Sequence, residues 1–120
     1  MDPLKRSLTD ETTLRLLKAW ELIRTQHREV PAQAVTVLFY IASHNPCHKQ
    51  AIEEDYGLTT ASCSRSINFL AAEPSRPGKQ SDGLGLVEKY HDDSNFRRFL
   101  VRLTPKGEQL IDQLKSIIYD

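Results

Sequence analysis

Several features are scarce in this 120-residue sequence, and each shortage excludes a class of protein. Cysteine occurs only at Cys47 and Cys63, which is too few for the disulfide framework of a small secreted domain. No apolar run approaches the roughly 20 residues that span a membrane, and the N-terminus lacks the apolar core of a signal peptide. We therefore expect a cytoplasmic protein that makes no membrane contact.

Net charge is absent as well. Lysine and arginine together number 16, and so do aspartate and glutamate, so the chain has no general positive excess with which to hold nucleic acid. Between residues 59 and 103, seven basic side chains stand against five acidic ones, a local surplus of two. A DNA-binding surface must therefore be local. The neutral balance equally fits an alternative function, a module that binds another protein without specific DNA binding.

Catalytic and metal-binding patterns are missing too. The sequence has no glycine-rich phosphate loop and no Ser/His/Asp spacing, so we expect neither an enzyme nor a cofactor. His44, Cys47 and His48 lie near one another, but zinc takes about four ligands and no fourth is evident, so we expect no metal. Cys63 is either a core residue or a redox switch. Its position on an apolar stripe favours the core.

Residues 49–71 carry the pattern around which the rest of the chain is interpreted. A first short helix is predicted over residues 49–56, with Ile52 and Tyr56 buried one helical turn apart. Gly57 ends it, because glycine adopts the left-handed conformation without steric strain. A short helix, a glycine turn and a second helix together predict a helix-turn-helix.

The second helix begins at a threonine cap, Thr59 or Thr60. Its buried stripe is predicted to be Cys63, Ile67, Leu70 and Ala71. Its outward side chains are short and polar, with one cation and no acid: Thr60, Ser62, Ser64, Arg65 and Asn68. Short side chains let a helix approach the major groove, where arginine bonds guanine and asparagine bonds adenine. We predict that these five residues bind DNA. The alternative is an ordinary solvent-exposed face.

A β-hairpin, the wing, is predicted over residues 84–103, after a loop rich in proline and glycine, Glu73–Gly83. Residues 92–95 are its predicted four-residue turn. Arg97 and Arg98 follow that turn, and we predict that they hold phosphate or the adjacent minor groove of DNA. Because they point to opposite faces of a regular strand, we expect only one in the groove, preferably Arg97. The alternative is that both are solvated surface charges.

Helices are predicted at both ends, over residues 10–28 and 104–119, and a buried helix over residues 32–44. The first helix has more apolar positions than one buried face needs: Leu14, Leu16, Leu17, Ala19, Trp20, Leu22 and Ile23. The last has an apolar stripe that little of the chain remains to cover: Leu110, Ile111, Leu114, Ile117 and Ile118. Unpartnered apolar faces mark interfaces, so we expect dimerisation through both helices. Packing within one chain is the alternative.

The predicted fold is mainly α with a small β-hairpin. It is one winged helix-turn-helix domain over residues 1–120, with an extra dimerisation helix at each end. Two segments resemble the MarR family of bacterial transcription regulators. Gly85-Leu86-Val87 matches its strand start, and residues 103–110, from Leu103-Thr104 to Leu110, match the Leu-Thr-x-x-Gly-x-x-Leu entry to its last helix. Ser64-Arg65 matches a pair common in its recognition helix. The resemblance covers about residues 10–120.

The resemblance implies a homodimer that binds a pseudo-palindromic operator in double-stranded DNA. Relatives also bind small aromatic acids as effectors, and no residue of this sequence identifies such a ligand. Three departures from the family pattern stand out. Its Asp-Arg-Arg wing motif is replaced by Asn95-Phe96-Arg97, without the Asp–Arg pair that braces the family's wing. Glu53 stands where the family has a small residue, and the loop Glu73–Gly83 is longer than usual.

Overall fold

The computed structural model describes residues 6–71 and 83–120. Across those ranges the chain forms five α-helices and three strands, in the order α1 (Glu11–Arg24), α2 (Ala32–Ser43), β1 (Cys47–His48), α3 (Lys49–Tyr56), α4 (Thr60–Leu70), β2 (Val87–Asp92), β3 (Asn95–Leu103) and α5 (Pro105–Tyr119). The strands form one antiparallel sheet in the order β1-β3-β2. This winged helix-turn-helix with an added helix at each end confirms the predicted fold class.

The two described ranges leave out most of the predicted loop Glu73–Gly83, of which only Gly83 lies within them. In these ranges none of the helices combines the length and the apolar character that crossing a membrane requires.

The helix-turn-helix forms where its turn residues predict it. Gly57 ends α3 with a φ of 64°, in the left-handed region that glycine favours. The amide of Leu58 donates to the carbonyl of Glu53 at 2.9 Å and closes the turn. Thr59 is the cap of α4, since its hydroxyl accepts from the amide of Ser62 at 3.1 Å. These local bonds fix where α4 begins relative to α3.

The core lies between α2, α3, α4 and the sheet. Its completely buried side chains are Leu38, Ile41, Ile52, Ile67, Leu70, Leu86, Val37, Val87, Val101 and Cys63. The prediction that Tyr56 is buried beside Ile52 is wrong, because Tyr56 is 57% exposed. As the last residue of α3 it meets only an edge of the core, where its ring packs edge-on against Tyr40 at 5.7 Å.

The threonine and glycine before Leu110 fasten α5 to the wing. Thr104 caps α5 by accepting the amide of Gly107 at 3.1 Å, while its own hydroxyl donates to the carbonyl of Gly85 at 2.5 Å. The amide of Thr104 donates to the carbonyl of Leu86 at 3.0 Å. A Cβ atom at position 107 would lie 2.0 Å from that carbonyl oxygen, so the contact requires glycine.

A third strand, β1, was not among the elements predicted from the sequence. It pairs Cys47 with Val101 and His48 with Leu100 on the outer side of β3. The sequence pattern could not predict it, because a two-residue strand has no periodicity of its own and exists only through its partner.

The wing is tighter at its turn and less regular than predicted. Two residues, rather than four, separate β2 from β3. His91 pairs with Phe99, yet the next pair is Asp92 with Asn95, so residues 96–98 are extra residues in β3. Such a bulge bends a strand and redirects its side chains.

The two terminal helices, α1 and α5, pack against each other. Ile23, Leu110 and Leu114 are buried within the chain, which corrects the expectation that these stripes lack an intramolecular partner. Arg15 of α1 donates to the carbonyl of Ile118 at 3.2 Å, at the end of α5 where carbonyls have no helical partner. The expectation failed because residue spacing shows that a stripe is apolar, and not which helix covers it.

An apolar patch nevertheless remains on the outside of this helix pair. The α1 patch consists of Leu16, Leu17 and Trp20, which are 59%, 53% and 44% exposed. Ile118 and Tyr119, at the end of α5, are exposed as well. The surplus of apolar positions predicted for the first helix is therefore present, although it is smaller than the sequence indicated.

Candidate nucleic-acid interface

The exposed side of α4 carries two parallel rows of side chains. Ala61, Arg65 and Asn68 are exposed and lie at i, i+4 and i+7, so they form one row that faces away from the core. Thr60 and Ser64 form the neighbouring row, on the side that faces the wing. Four of the five predicted DNA-binding residues of this helix are thus brought together. Ala61 adds a small side chain at the start of the row that it forms with Arg65 and Asn68.

A groove separates α4 from the wing and has a volume of about 360 Å³. We call it the wing groove. It is lined by Thr60 and Ser64 of α4, by Gln50 and Glu53 of α3, and by Lys89, Arg97 and Arg98 of the wing, among others. The helix and wing residues that were predicted separately therefore border one surface.

The acid of the wing groove is neutralised by its neighbours. Glu53 forms an ion pair with Lys49, which is 7% exposed, and accepts the hydroxyl of Thr60 at 3.2 Å. Lys49 also donates to the carbonyl of Thr60 at 3.2 Å. Where the family has a small residue, Glu53 therefore ties α3 to the first turn of α4. The proton of the Thr60 hydroxyl is already engaged in this network.

Ser62, the fifth predicted residue of α4, lies on a different flank of the helix. Its hydroxyl donates to the carbonyl of Thr59 at 3.2 Å, and its own carbonyl accepts from Gln33 of α2 at 3.2 Å. Gln33 also donates to the buried Ser66 at 3.0 Å. Ser62 is therefore half-buried beside α2 and does not line the wing groove.

The cations that border this surface are available for an anionic partner. Within residues 6–71 and 83–120, no ion pair or hydrogen bond engages the guanidinium groups of Arg65, Arg97 and Arg98, and all three residues are exposed. Lys89 lies over the ring of Phe99, 4.6 Å from its centre, which holds its ammonium beside the groove. Four positive charges are thus grouped at the surface of a chain that has no net charge.

The bulge explains the placement of Arg97 and Arg98. Both were expected on opposite faces of a regular strand, but they belong to the extra residues 96–98, and both line the wing groove. Phe96, the first residue of the bulge, is 71% exposed. The expectation of opposite faces is therefore wrong here, because the two-residue alternation of a strand holds only where the ladder is regular.

A hydrogen bond joins the tip of the wing to β1. His48 Nε2 and Asp92 Oδ2 are 2.9 Å apart, and Asp92 Oδ1 accepts both the amide and the hydroxyl of Ser94, at 2.9 and 2.7 Å. The bond from His48 and those from Ser94 lower the pKa of Asp92 to about 2, because they favour the ionised carboxylate. A His–Asp pair thus stands in a wing that lacks the family's Asp–Arg pair.

The three residues that raised the question of a metal diverge in space. His44 stacks on Tyr40, Cys47 is buried in β1, and His48 bonds Asp92. In the described part of the chain no group of three or more His, Cys, Asp or Glu side chains is arranged to hold a metal ion.

Both cysteines are buried thiols. Burial raises the pKa of Cys47 to about 11 and also raises the pKa of Cys63, so burial disfavours the reactive thiolate form of both. The interpretation of Cys63 as a core residue agrees with its complete burial.

The sequence did not identify several residues of this surface, among them His48, Gln50, Ala61 and Lys89. For Ala61 the signal was available, since it lies at i−4 from Arg65 and i−7 from Asn68. For His48, Gln50 and Lys89 there was no signal, because their proximity to α4 depends on the packing of α3 and the wing.

Comparison with known proteins supports the fold. Neither a family model nor a curated protein matches the sequence. Solved structures do match, and they include a MarR mutant from E. coli complexed with operator DNA (16% identity, TM-score 0.60, covering 89% of this chain and 70% of that one). Others are reduced AbfR bound to DNA (17%, 0.60, 88% and 69%) and a transcriptional regulator from Thermotoga maritima (14%, 0.66, 88% and 66%).

These identities are low, so the likeness bears on the fold alone. Element order, sheet topology and the structural matches agree in this respect. The chain has the winged helix-turn-helix fold of the MarR-family transcriptional regulators.

Proposed function

We propose that this protein is a transcription regulator that binds double-stranded DNA sequence-specifically, as a homodimer on a pseudo-palindromic operator. The observation that carries the proposal is the exposed row Ala61, Arg65 and Asn68 on α4, together with two wing arginines, Arg97 and Arg98, that have no partner among the described residues. Two of the structurally similar proteins, AbfR and the MarR mutant, were solved in complex with DNA, which supports the same use of the fold here. We also propose that the protein acts in the cytoplasm and that it is not an enzyme.

The α4 row has the chemistry to distinguish bases. Arg65 can donate two hydrogen bonds to the acceptors of guanine, and Asn68 can pair with the donor and acceptor of adenine. Ala61 fits the methyl group of thymine, and its small size lets the helix enter the groove deeply. Thr60 and Ser64, whose side chains are short, contact the sugar-phosphate backbone of the DNA at the edge of the wing groove. DNA contact by Ser62 remains a prediction, because the hydroxyl group of this residue is partly buried.

The wing supplies the phosphate contacts. Arg97 and Arg98 have no competing partner in the described residues, and a guanidinium group binds phosphate well, so phosphate is their natural partner. Phe96 presents an exposed ring between them and the turn, which suits apolar contact with deoxyribose or the minor groove. Lys89, which also lines the wing groove, adds a third positive charge to the wing surface.

The α1 patch supports dimerisation. Leu16, Leu17 and Trp20 cluster on one helix, and exposed apolar side chains grouped in this way are typical of an interface. A twofold dimer places its two recognition helices about 34 Å apart, one turn of DNA. Each half-site of a pseudo-palindrome then meets the same α4 residues. Any small-molecule effector remains unidentified.

The test is selection from a pool of random-sequence DNA duplexes, followed by titration of the recovered and the starting duplexes at equal salt. We expect a recovered sequence with two related half-sites, bound at least about a thousandfold more tightly than mixed DNA. A protein that binds neither pool at low salt would contradict DNA binding. It would favour the alternative of a protein-interaction module, which the neutral net charge also allows.

A further inference from the structure

The wing tip is held to the rest of the molecule by one side-chain contact that crosses the sheet. His48 lies in β1, on one side of β3, and Asp92 lies at the end of β2, on the other. Their side chains meet at 2.9 Å although the residues are 44 positions apart. His48 is also the residue directly before α3, the first helix of the helix-turn-helix. The bond therefore connects the wing tip to the element that supports α4.

The bond acts where the ladder of the wing is interrupted. After the pair of His91 with Phe99, three residues of β3 have no ladder partner in β2, and pairing resumes only at Asp92 and Asn95. The side chain of His91 does reach this segment, since its Nδ1 lies 3.1 Å from the carbonyl oxygen of Phe96. A bulge of this length loosens the tip because it removes ladder hydrogen bonds. The two arginines proposed to hold phosphate, Arg97 and Arg98, lie within it. A second anchor at Asp92 restricts the motion that the bulge would otherwise allow.

Asp92 uses each of its oxygens for a different purpose. Oδ1 accepts the two bonds from Ser94 and shapes the turn, whereas Oδ2 meets His48 and fixes where the turn lies. Its neighbour Asp93 is exposed, and no contact engages its carboxylate in the described part of the chain. The two aspartates therefore carry the same charge at the same tip, and only one of them bonds β1.

We propose that His48 and Asp92 are positioning residues for DNA binding, whose contact holds the bulged wing tip so that Arg97 and Arg98 meet the duplex that α4 enters. This inference rests on the proposed DNA-binding function. According to this proposal, the carboxylate of Asp92 increases the affinity for DNA, although its negative charge by itself repels phosphate. A free carboxylate at the wing tip repels phosphate, so removing it should strengthen binding.

Positioning and charge repulsion predict opposite changes in affinity when the carboxylate is removed, and Asp93 serves as the matched control. His48→Ala, Asp92→Ala and Asp93→Ala are titrated with the tightest duplex recovered from the random pool and with mixed-sequence DNA. We expect the first two to bind the recovered duplex about tenfold more weakly, a typical size for a lost pairwise coupling. Asp93→Ala, which removes the same charge without the contact, should bind as tightly as the wild type or more tightly.

A conservative variant and a double variant separate positioning from general damage. His48→Gln keeps an N–H donor within reach of Asp92, so it should recover most of the affinity. If His48 acted only through the packing of its imidazole ring, His48→Gln would bind as weakly as His48→Ala. The double variant His48→Ala/Asp92→Ala should bind about as weakly as Asp92→Ala alone, because the contact that His48→Ala removes is already absent once Asp92 is replaced. Additive losses would show that the residues act independently and would overturn the proposal.

Hydrogen exchange of the free protein provides a readout that does not depend on DNA. In His48→Ala, amides of residues 92–98 should exchange faster while those of α2 and α4 stay unchanged. Unchanged exchange at the tip, or an Asp92→Ala affinity that rises as in Asp93→Ala, would overturn the positioning role. A wild-type protein that binds no duplex would instead overturn the proposed function, so the two failures are distinguishable.

Discussion

Gly107 of α5 faces the backbone carbonyl of Leu86 so closely that a Cβ atom at position 107 would lie 2.0 Å from the oxygen. The same carbonyl accepts the amide of Thr104, the cap of α5. The start of the wing and the start of the last helix therefore contact each other at the carbonyl of Leu86. The threonine and glycine of the sequence motif Leu-Thr-x-x-Gly are the residues that make this contact.

We predict that Gly107→Ala lowers the free energy of unfolding by about 1–3 kcal/mol, the usual range for overpacking. The sign is informative, because alanine would otherwise favour a helix by about 1 kcal/mol over glycine. Chemical denaturation measures the change, with the exposed Gln109→Ala of the same helix as control. A Gly107→Ala protein as stable as the wild type would show that α5 can move away from Leu86.

The α1 patch predicts how the dimer is broken. Glutamate at Leu16 and Trp20 should weaken dimerisation by about 2 kcal/mol or more, since each charge would be buried without a partner. Because both positions are exposed in the single chain, the monomer should stay folded. Sedimentation equilibrium at micromolar concentration should show a mass near 13.7 kDa for the variant and twice that for the wild type.

Lys18→Glu is the control for this experiment, because it adds a glutamate at an exposed polar position of the same helix. It should leave the dimer intact. A wild-type protein that sediments as a monomer would contradict the proposed interface, and Leu114 would be unsuitable for the test because it is buried within the chain.

Alanine at Arg65 or Asn68 should reduce affinity for the selected duplex by about 1–3 kcal/mol, the range for a residue that bonds a base edge. For Asn68→Ala the affinity for mixed-sequence DNA should change much less, since an uncharged amide adds little to nonspecific binding. Parallel titrations of both duplexes measure the difference. Equal losses on the two would mean that these residues contact only the backbone.

Arg97 and Arg98 should be visible in the salt dependence of binding. Each phosphate that a cation neutralises adds about 0.9 to the slope of log affinity against log salt. Replacing both arginines with alanine, in a dimer with two wings, should flatten the slope by roughly two to four. Titrations at several salt concentrations measure it. A double variant with the wild-type slope and affinity would show that the wing stays off the DNA.

The carboxylate of Asp92 should contribute to stability in a defined range of pH. Its pKa in the folded protein is about 2, below the ordinary 3.8, so the contribution is present above about pH 4 and is lost as the pH falls towards 2. Asp92→Asn should therefore be less stable than the wild type at about pH 6, and the difference should shrink near pH 2. Denaturation at both values measures this. A difference that is the same at both would contradict the ionic role.

Local signals predicted much of the helix-turn-helix. The turn at Gly57 and the cap at Thr59 form through bonds between residues at most five positions apart, and the helices over 32–43 and 49–56 follow from apolar spacing. Tyr56 was misplaced because spacing identifies a face, whereas the end of a short helix can lie beyond the core. In the wing, alternation predicted the strands and failed at the bulge.

The sequence by itself determined the fold class and the short polar side chains on the exposed side of α4, because capping, turn formation and helical periodicity depend on residues that are close along the chain. Only the tertiary structure decided that β1 exists, that α1 covers α5, and that His48 meets Asp92. Each of these joins segments far apart in sequence, whose meeting depends on how whole elements pack. For the same reason, the charged wing groove, which requires α3, α4 and the wing together, could not be predicted from residue spacing.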